Sequence, residues 1–206
     1  MKSFLKLTFI PLVALFILAC NKEGNSYKYG PFSIQNDTTA LINGDMGNRI
    51  EKQFNNLMED YPNIKLLNFG ECPGSKNDEA MMDAAKIMAN SGIKTHLPSD
   101  AIIESGAVDL FLAGKTRTRE VGSKIGVHAW SAGNKSATDY ALGHEEHDLY
   151  INFYIFCGYS TEEAEELYYF IINAAGPLET VKRLKTKDGK LKQFDGKVSD
   201  GMLGAP

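Results

Sequence analysis

The sequence predicts an α/β protein with a largely parallel β-sheet, followed by a helical C-terminal region. Short β-branched and apolar runs alternate along the chain with segments whose apolar residues recur at helical spacing, which is the order typical of parallel sheets. One run, Ile64 to Phe69, is apolar almost throughout, as in a strand buried on both faces. From about residue 139 onward the helical spacing predominates.

The first 19 residues are not expected to belong to this fold, because they have the layout of a secretory signal. Two lysines lead into an apolar stretch from Leu7 to Leu18, and the small residue Ala19 stands just before Cys20. The stretch is shorter than the roughly 20 apolar residues that cross a bilayer as a helix. A signal for export is therefore a better interpretation than a permanent transmembrane helix.

The end of the signal resembles the bacterial lipobox, in which the cysteine is joined to a diacylglycerol and becomes the mature N-terminus. Ile17, Leu18, Ala19 and Cys20 carry the resemblance, with leucine a less usual occupant of its place. It implies a protein of the cell envelope, lipid-anchored to a membrane through Cys20 and extracytoplasmic. Residues 20–29 would form the lipidated tether. An ordinary cleaved signal is the alternative.

Length and charge bound what the mature chain can be. Removing the 19-residue signal from the 206-residue chain leaves 187 residues, which suits one domain with a sizeable core. We expect that domain at residues 30–185 and a flexible tail at 186–206. The net charge of −4 provides no basic stripe, so nucleic acid is not an expected partner. Cys72 and Cys157 could form a disulfide, although two free, buried thiols are the stronger interpretation.

The domain is predicted to begin with two strands joined by a turn. The runs from Phe32 to Gln35 and from Thr39 to Asn43 are β-branched and apolar, with a polar turn between them. Gly47 to Asp60 has apolar residues at helical spacing, and Pro62 supplies a stop. The buried strand Ile64 to Phe69 follows this helix.

The middle of the chain repeats the order of helix and strand. A helix capped by Asn77 or Asp78 runs to Asn90 and is followed by a strand from Ile93 to Leu97. A run from Ala101 to Ile103 then leads into a short buried helix that begins near Ser105. Two further strands are expected, at Arg117 to Val121 and at Lys124 to Trp130.

Two helices are predicted to complete the domain. The first runs from about Asp139 to Cys157 and is broken by Gly158. Ser160 and Glu163 form a capping box for the second, which continues to about residue 173.

The first of these helices carries a cluster of potential metal ligands. His144 and Asp148 are four residues apart and would share a helical face. However, His144 and His147 are three apart, which is not the spacing of the His-Glu-x-x-His zinc motif. A solvated helical face is the stronger interpretation, and we expect neither a metal nor a cofactor.

Three segments could supply the parts of an acyl-transfer site, namely a nucleophile, a base and donors for an oxyanion. Ser105 stands at a helix start before the small residue Gly106, and His128 lies at the end of a strand. The loop at Gly74 and Ser75 follows a buried strand and could present backbone N–H groups. Each pattern alone is weak, because a serine at a helix start is far more often a cap.

The order of these segments resembles the ClpP/crotonase superfamily, and within it the ClpP-like serine peptidases and their exported relatives. In that family an Asn-Ser-Pro-Gly-Gly-Ser-like loop precedes a serine in a small-residue motif, an apolar helix ending in Ala-Gly-Lys, and a strand ending in Ile-Gly-Phe-His or Met-Ile-His. This chain offers, in the same order, Glu71-Cys72-Pro73-Gly74-Ser75-Lys76, Glu104-Ser105-Gly106-Ala107, Phe111-Leu112-Ala113-Gly114-Lys115 and Ile125-Gly126-Val127-His128. The match covers about residues 39–130, and the fold it implies is one of repeated β-β-α units.

Carried over residue by residue, the resemblance gives each segment a role. Ser105 matches the nucleophile and His128 the general base, and the backbone N–H groups of Ser75 and Gly106 match the oxyanion hole. The implied activity is that of a serine hydrolase, a peptidase acting on peptides or proteins without a cofactor. Stacked trimers are common in this superfamily, so a homo-oligomer is compatible with the resemblance.

Departures from the family pattern keep an alternative open. Ser75 replaces the second glycine of the loop, and Glu104 puts a carboxylate beside the nucleophile, where it could raise the pKa of the serine or point to water. The acidic third member has no clean match: Glu179 lies closest to the expected region, and Asp148 and Asp139 are rivals. The alternative is a catalytically inactive module of the same fold, used for binding or assembly at the membrane surface.

Overall fold

Residues 28–174 are described by a computed structural model of the chain. The predictions for the signal segment, for Cys20, for Glu179 and for the tail at 186–206 lie outside these residues. The first described residues already pack on the domain, since Tyr29 is buried and its hydroxyl group donates to Asp60. The packed part of the chain therefore starts just before the expected boundary at residue 30.

The strands form two main sheets and one small hairpin. In chain order they are β1 (Phe32–Asn36), β2 (Thr39–Ile42), β3 (Leu66–Phe69), β4 (Glu71–Cys72), β5 (Lys94–Leu97), β6 (Ile102–Glu104), β7 (Arg117–Arg119), β8 (Lys124–Gly126), β9 (Ser131–Ala132) and β10 (Lys135–Ser136). The larger sheet has the order β1-β2-β3-β5-β7 and is parallel except for the β1-β2 pair. The smaller sheet has the order β4-β6-β8 and is parallel throughout.

The helices are α1 (Ile50–Asp60), α2 (Asp78–Asn90), α3 (Gly106–Leu112), α4 (Asp148–Phe156) and α5 (Thr161–Ala174). The Asn77 side chain caps α2 by accepting the N–H of Ala80 at 3.1 Å. The predicted capping box of α5 is confirmed, because Ser160 and Glu163 each accept the backbone N–H of the other. No helix between residues 28 and 174 combines the length and the apolarity needed to cross a bilayer.

The predicted α/β fold with repeated β-β-α units is confirmed. Each unit gives one strand to the larger sheet and the next to the smaller sheet, as β3-β4-α2 and β5-β6-α3 do, and β7-β8 repeats the pair of strands. Because β4, β6 and β8 run parallel, their carboxyl ends meet at one edge. Buried apolar side chains join the sheets to the helices, with Phe69 and Phe111 in an edge-to-face contact at 5.8 Å between ring centroids.

The prediction of one long helix from Asp139 to Cys157 was wrong, because the helix in the structure is shorter. Only Asp148–Phe156 is α-helical, and the chain before it makes two 3-10 turns, at Ala137–Asp139 and at Glu145–His147. Gly143 explains the break, because its φ of +77° is left-handed and cannot continue a helix.

The cluster of histidines is therefore not a solvated helical face. His144 has an extended backbone and caps the second 3-10 turn, so it does not share a helical face with Asp148. His147 is fully buried. In the part of the chain that the structure describes, no three side chains of metal-binding type come together.

The two cysteines are not bridged. Cys72 is buried in the core and Cys157 is partly buried, and both thiols are free. Burial raises the pKa of each thiol to about 12, so neither has thiolate character near neutral pH.

Candidate active site

Ser105 occupies the sharp turn between β6 and α3. Its φ of 52° and ψ of −135° make it the only residue other than glycine with a positive φ in the described range. The turn is held by the Ser105 N–H, which donates to the carbonyl of Gly126 at 3.1 Å, and by the Ser105 carbonyl, which accepts from Val108 at 2.8 Å. A non-glycine residue in such a conformation costs about 1 to 3 kcal/mol. Similar strained strand-to-helix turns expose nucleophilic serines in α/β-hydrolases.

His128 lies two residues beyond β8 and contacts Ser105 directly. The His128 Nε2 atom is 2.7 Å from Ser105 Oγ, and His128 Nδ1 is 2.7 Å from the backbone carbonyl oxygen of Ala129. A carbonyl oxygen can only accept a hydrogen bond, so Nδ1 carries the proton. The Nε2 atom of the neutral imidazole is then free to accept the hydroxyl proton of Ser105, which is the arrangement that a general base requires.

A backbone carbonyl takes the place at His128 where the resemblance implies an acidic side chain. None of the carboxylates between residues 28 and 174 hydrogen-bonds to His128. Asp139 accepts the N–H of Ser136 at 2.7 Å, and Asp148 is exposed at the start of α4. Neither rival for the third position therefore contacts the histidine, and Glu179 lies outside the described residues.

The two expected oxyanion donors lie next to each other. Gly106 is the first residue of α3, so its N–H has no acceptor within the helix. The Ser75 N–H likewise finds no acceptor among residues 28–174. A Cβ atom on Gly106 would come within 2.3 Å of Ser75 Oγ, so the absence of a side chain at Gly106 lets the two segments touch.

Gly74 also has to be a glycine for the loop at Ser75 to come close to Ser105. Its φ of +127° disfavours any residue with a side chain, and a Cβ atom there would lie 2.8 Å from the Cβ of Ser105. Ser75, which replaces the second glycine of the family pattern, does not have a positive φ. The chain therefore tolerates serine at this position without left-handed backbone strain.

Glu104 does not point to water. Its residue is only 4% exposed, and a Cβ atom on Gly126 would lie 3.0 Å from its Cγ. The side chain is therefore packed against the neighbouring strand β8.

A cavity of about 170 Å³ opens beside the serine and the histidine. One wall comes from the repeated units and includes Ser75, Asp78, Ser105, Asp109 and His128. The other wall comes from the C-terminal region and includes Trp130, Tyr150, Tyr154, Tyr168, Ile171 and Ile172. The helical region therefore completes a cleft that the two sheets alone would leave open.

The cavity also contains two carboxylates that the sequence did not single out. Asp109 on α3 accepts a hydrogen bond from the Tyr154 hydroxyl at 2.6 Å, and burial raises the pKa of this carboxyl to about 7. Asp78, at the start of α2, accepts from the hydroxyl groups of Ser75 and Tyr150. Asp109 lies four residues after Ser105, and this spacing is the one signal that could have placed it on the same side of the helix.

A buried hydrogen-bond chain fastens the helical region over the cavity. The Trp130 indole N–H donates to the Tyr168 hydroxyl at 2.9 Å, and Tyr168 lies 2.8 Å from His147 Nδ1. Since His147 Nε2 is 3.0 Å from the carbonyl of Ala141, Nε2 carries the proton and Nδ1 accepts from Tyr168. Each polar group from the Trp130 indole to the Ala141 carbonyl has a partner, which favours one fixed arrangement of this wall.

No protein-family model and no curated protein matches the chain. Among solved structures it is similar to two variants of 1510-N, a membrane-bound stomatin-specific protease. A lysine-to-alanine variant in complex with a substrate peptide has a TM-score of 0.44 and 16% identity, over 70% of this chain and 70% of that chain. A serine-to-alanine variant has a TM-score of 0.43 and 15% identity, over 82% of this chain and 90% of that chain.

Proposed function

We propose that this protein is a serine hydrolase that cleaves peptide bonds outside the cytoplasm, with Ser105 as nucleophile and His128 as general base. The observation that carries the proposal is the contact of 2.7 Å between Ser105 Oγ and His128 Nε2. It is supported by the backbone N–H groups of Ser75 and Gly106, which lie close together and have no acceptor among the described residues.

In the proposed reaction the Ser105 oxygen attacks the carbonyl carbon of the substrate while its proton passes to His128 Nε2. The carbonyl oxygen becomes an oxyanion that accepts hydrogen bonds from the Ser75 and Gly106 N–H groups. The imidazolium then gives its proton to the leaving amine as the C–N bond breaks, which leaves an ester on Ser105. Water, with His128 again as base, hydrolyses this ester and restores the serine.

The Ala129 carbonyl performs part of the work of an acidic third member. It holds the histidine in the tautomer that can accept the serine proton. It carries only a partial charge, so it stabilises the imidazolium less than a carboxylate would. We therefore expect His128 to act as a base, but to support slower hydrolysis than a histidine that a carboxylate orients.

The inactive module is the weaker candidate on this geometry. The conformation of Ser105 costs about 1 to 3 kcal/mol, and a purely structural position has no need of it. A neutral histidine with its acceptor nitrogen on that serine is likewise an arrangement that binding or assembly does not require.

The cellular side of the proposal depends on the sequence. The resemblance of Ile17 to Cys20 to a lipobox supports a lipid anchor, and the segment after Cys20 supports a short tether. An anchored site would act on peptide chains that come close to the membrane. The resemblance of residues 39–130 to ClpP-like peptidases supports peptides as the substrate class.

Cleavage of an unfolded polypeptide by the full-length protein in lipid vesicles tests the proposal. We expect fragments with the wild type and none with Ser105→Ala, as followed by mass spectrometry. Ser91→Ala is a matched control, because the Ser91 hydroxyl only bonds to Ile87 at the exposed end of α2. Equal cleavage by Ser105→Ala, or no cleavage by the wild type, would contradict the proposal.

A further inference from the structure

The cavity beside Ser105 has negative groups and no compensating cation. Asp78 and Asp109 line it, and no lysine or arginine of residues 28–174 does. Burial is the main cause of the raised pKa of the Asp109 carboxyl, and the charge of Asp78 raises it further. An ionised carboxylate in such a site is costly unless it is paired, so a cation is the ligand that would remove this cost.

Asp109 is the carboxylate best placed to pair with a ligand. Its residue is only 8% exposed, and its Oδ1 accepts from Tyr154. Its Oδ2 accepts no hydrogen bond from the described part of the chain. Both oxygens of Asp78, by contrast, are used, one by Ser75 and the other by Tyr150. One oxygen of this largely buried carboxylate therefore has no hydrogen-bond donor among the described residues and is left for an incoming donor.

The remaining surface of the cavity suits a long aliphatic side chain. Asp109 lies one turn along α3 from Ser105, a rise of about 6 Å. Apolar side chains, including Val108, Ile171 and Ile172, line the same cavity. Lysine and arginine bury their methylene stems against apolar surface while the charged end seeks a polar partner.

We propose that this cavity is a specificity pocket for a lysine or arginine side chain of the substrate, whose cationic end pairs with Asp109. The proposal rests on the proposed function, because the pocket then places the peptide bond next to that basic residue at Ser105. An apolar side chain of the same length would leave the Asp109 carboxylate desolvated without a cationic partner, and an acidic one would be repelled.

Trp130 provides a direct test, since it is the single tryptophan of the chain and lines the cavity. The full-length Ser105→Ala protein is titrated with two short peptides that differ only in lysine or norleucine at one position, and Trp130 fluorescence is followed. Norleucine keeps the four-carbon stem and lacks the ammonium group. We expect the lysine peptide to bind about tenfold or more tightly.

Asp109→Asn in the Ser105→Ala background separates charge from shape, because asparagine keeps an oxygen for Tyr154. We expect this change to reduce the preference for lysine to about twofold or less. Asp83→Asn is the matched control, since the pair of Asp83 with Lys86 is exposed on α2. If Asp109→Asn does not fold, as judged by circular dichroism, the binding of the two peptides to the Ser105→Ala protein still tests whether the cavity prefers lysine.

Each outcome bears on one of the two proposals. Equal binding of the two peptides, or a preference for lysine that survives Asp109→Asn, overturns the pocket. Labelling of wild-type Ser105 by a fluorophosphonate reports on the nucleophile separately. Labelling without a preference for lysine overturns the pocket alone, whereas a preference without labelling supports the pocket and overturns the hydrolase.

Discussion

The two sheets are built from the same repeated units, yet the candidate site gathers at the smaller one. Strand β4 leads to Gly74 and Ser75, β6 to Ser105, and β8 to His128. The larger sheet also carries a histidine near the carboxyl end of a strand, His96 on β5, but this side chain pairs with Thr118 and Glu120 at the surface. The difference teaches that strand ends alone do not make a site. The loops that follow the strands must also converge, and another part of the chain, here the C-terminal helical region, must cover them.

The largest effect is expected from removing the Ser105 hydroxyl, the proposed nucleophile. Ser105→Ala is expected to lower the rate of hydrolysis about 10⁴-fold or more. Ser105→Gly should abolish activity equally and raise the free energy of unfolding by about 1 kcal/mol, because glycine accepts the positive φ without strain. Urea unfolding measures the stability of Ser105→Gly. A variant less stable than the wild type would contradict the claim that the backbone of Ser105 is strained.

The two histidines provide a matched comparison between the sheets. His128→Gln removes the proposed general base and is expected to lower the hydrolysis rate about 10²- to 10⁴-fold. His96→Gln changes only surface contacts with Thr118 and Glu120, and contacts of this kind contribute about 0 to 1 kcal/mol to stability. We expect its activity to stay within about twofold of the wild type. Similar losses in the two variants would show that position at a strand end, and not contact with Ser105, is what matters.

Two glycines separate the effect of backbone strain from the effect of contact with Ser105. Gly74 and Gly44 both have positive φ, at 127° and 106°, but only a Cβ on Gly74 would meet Ser105, while one on Gly44 meets nothing within 4 Å. Gly44→Ala should therefore cost about 1 kcal/mol of stability and little activity. Gly74→Ala should cost more and lower kcat/KM about 10²-fold, because it displaces Ser105. Thermal unfolding and peptide hydrolysis check the pair.

The buried carboxylate of Asp109 predicts how stability changes with pH. Its pKa is raised to about 7 in the folded protein, against about 3.9 in the unfolded chain. The unfolded chain thus loses this proton first, so the stabilising contribution is complete below about pH 4 and is lost as the pH rises through about 7. Asp109→Asn should be about 1 to 3 kcal/mol more stable than the wild type at pH 8 and no more stable at pH 4. Chemical denaturation at the two pH values measures this, with Asp83→Asn as control.

The sequence predicted the parts of the site that depend on local order. Ser105, Gly106 and the loop at Ser75 each stand next to a strand or helix that the apolar pattern identifies. Because parallel strands end at the same edge of a sheet, the sequence predicts that these residues lie near one another. Two contributions could not be foreseen. The carbonyl of Ala129 is a backbone group, which every residue has, so the residue type at position 129 does not reveal its contact with His128. The role of Asp109 depends on Tyr154, which reaches it only through the packing of α4.

The error in the C-terminal helix has a similar cause. Tyr140 and His144 adopt extended backbone conformations and Gly143 a left-handed one, and residue type alone does not reveal the first two. The burial of His147 depends on its bonds to Tyr168 and Ala141, which pattern alone does not contain.

Fluorophosphonate labelling of the full-length protein near neutral pH, with the modified residue located by mass spectrometry, tests the central claim most directly. The geometry of Ser105 and His128 predicts modification of Ser105 in the wild type, slower modification in His128→Gln and none in Ser105→Ala. A wild-type protein that stays unmodified, or one modified on a different residue, would contradict it.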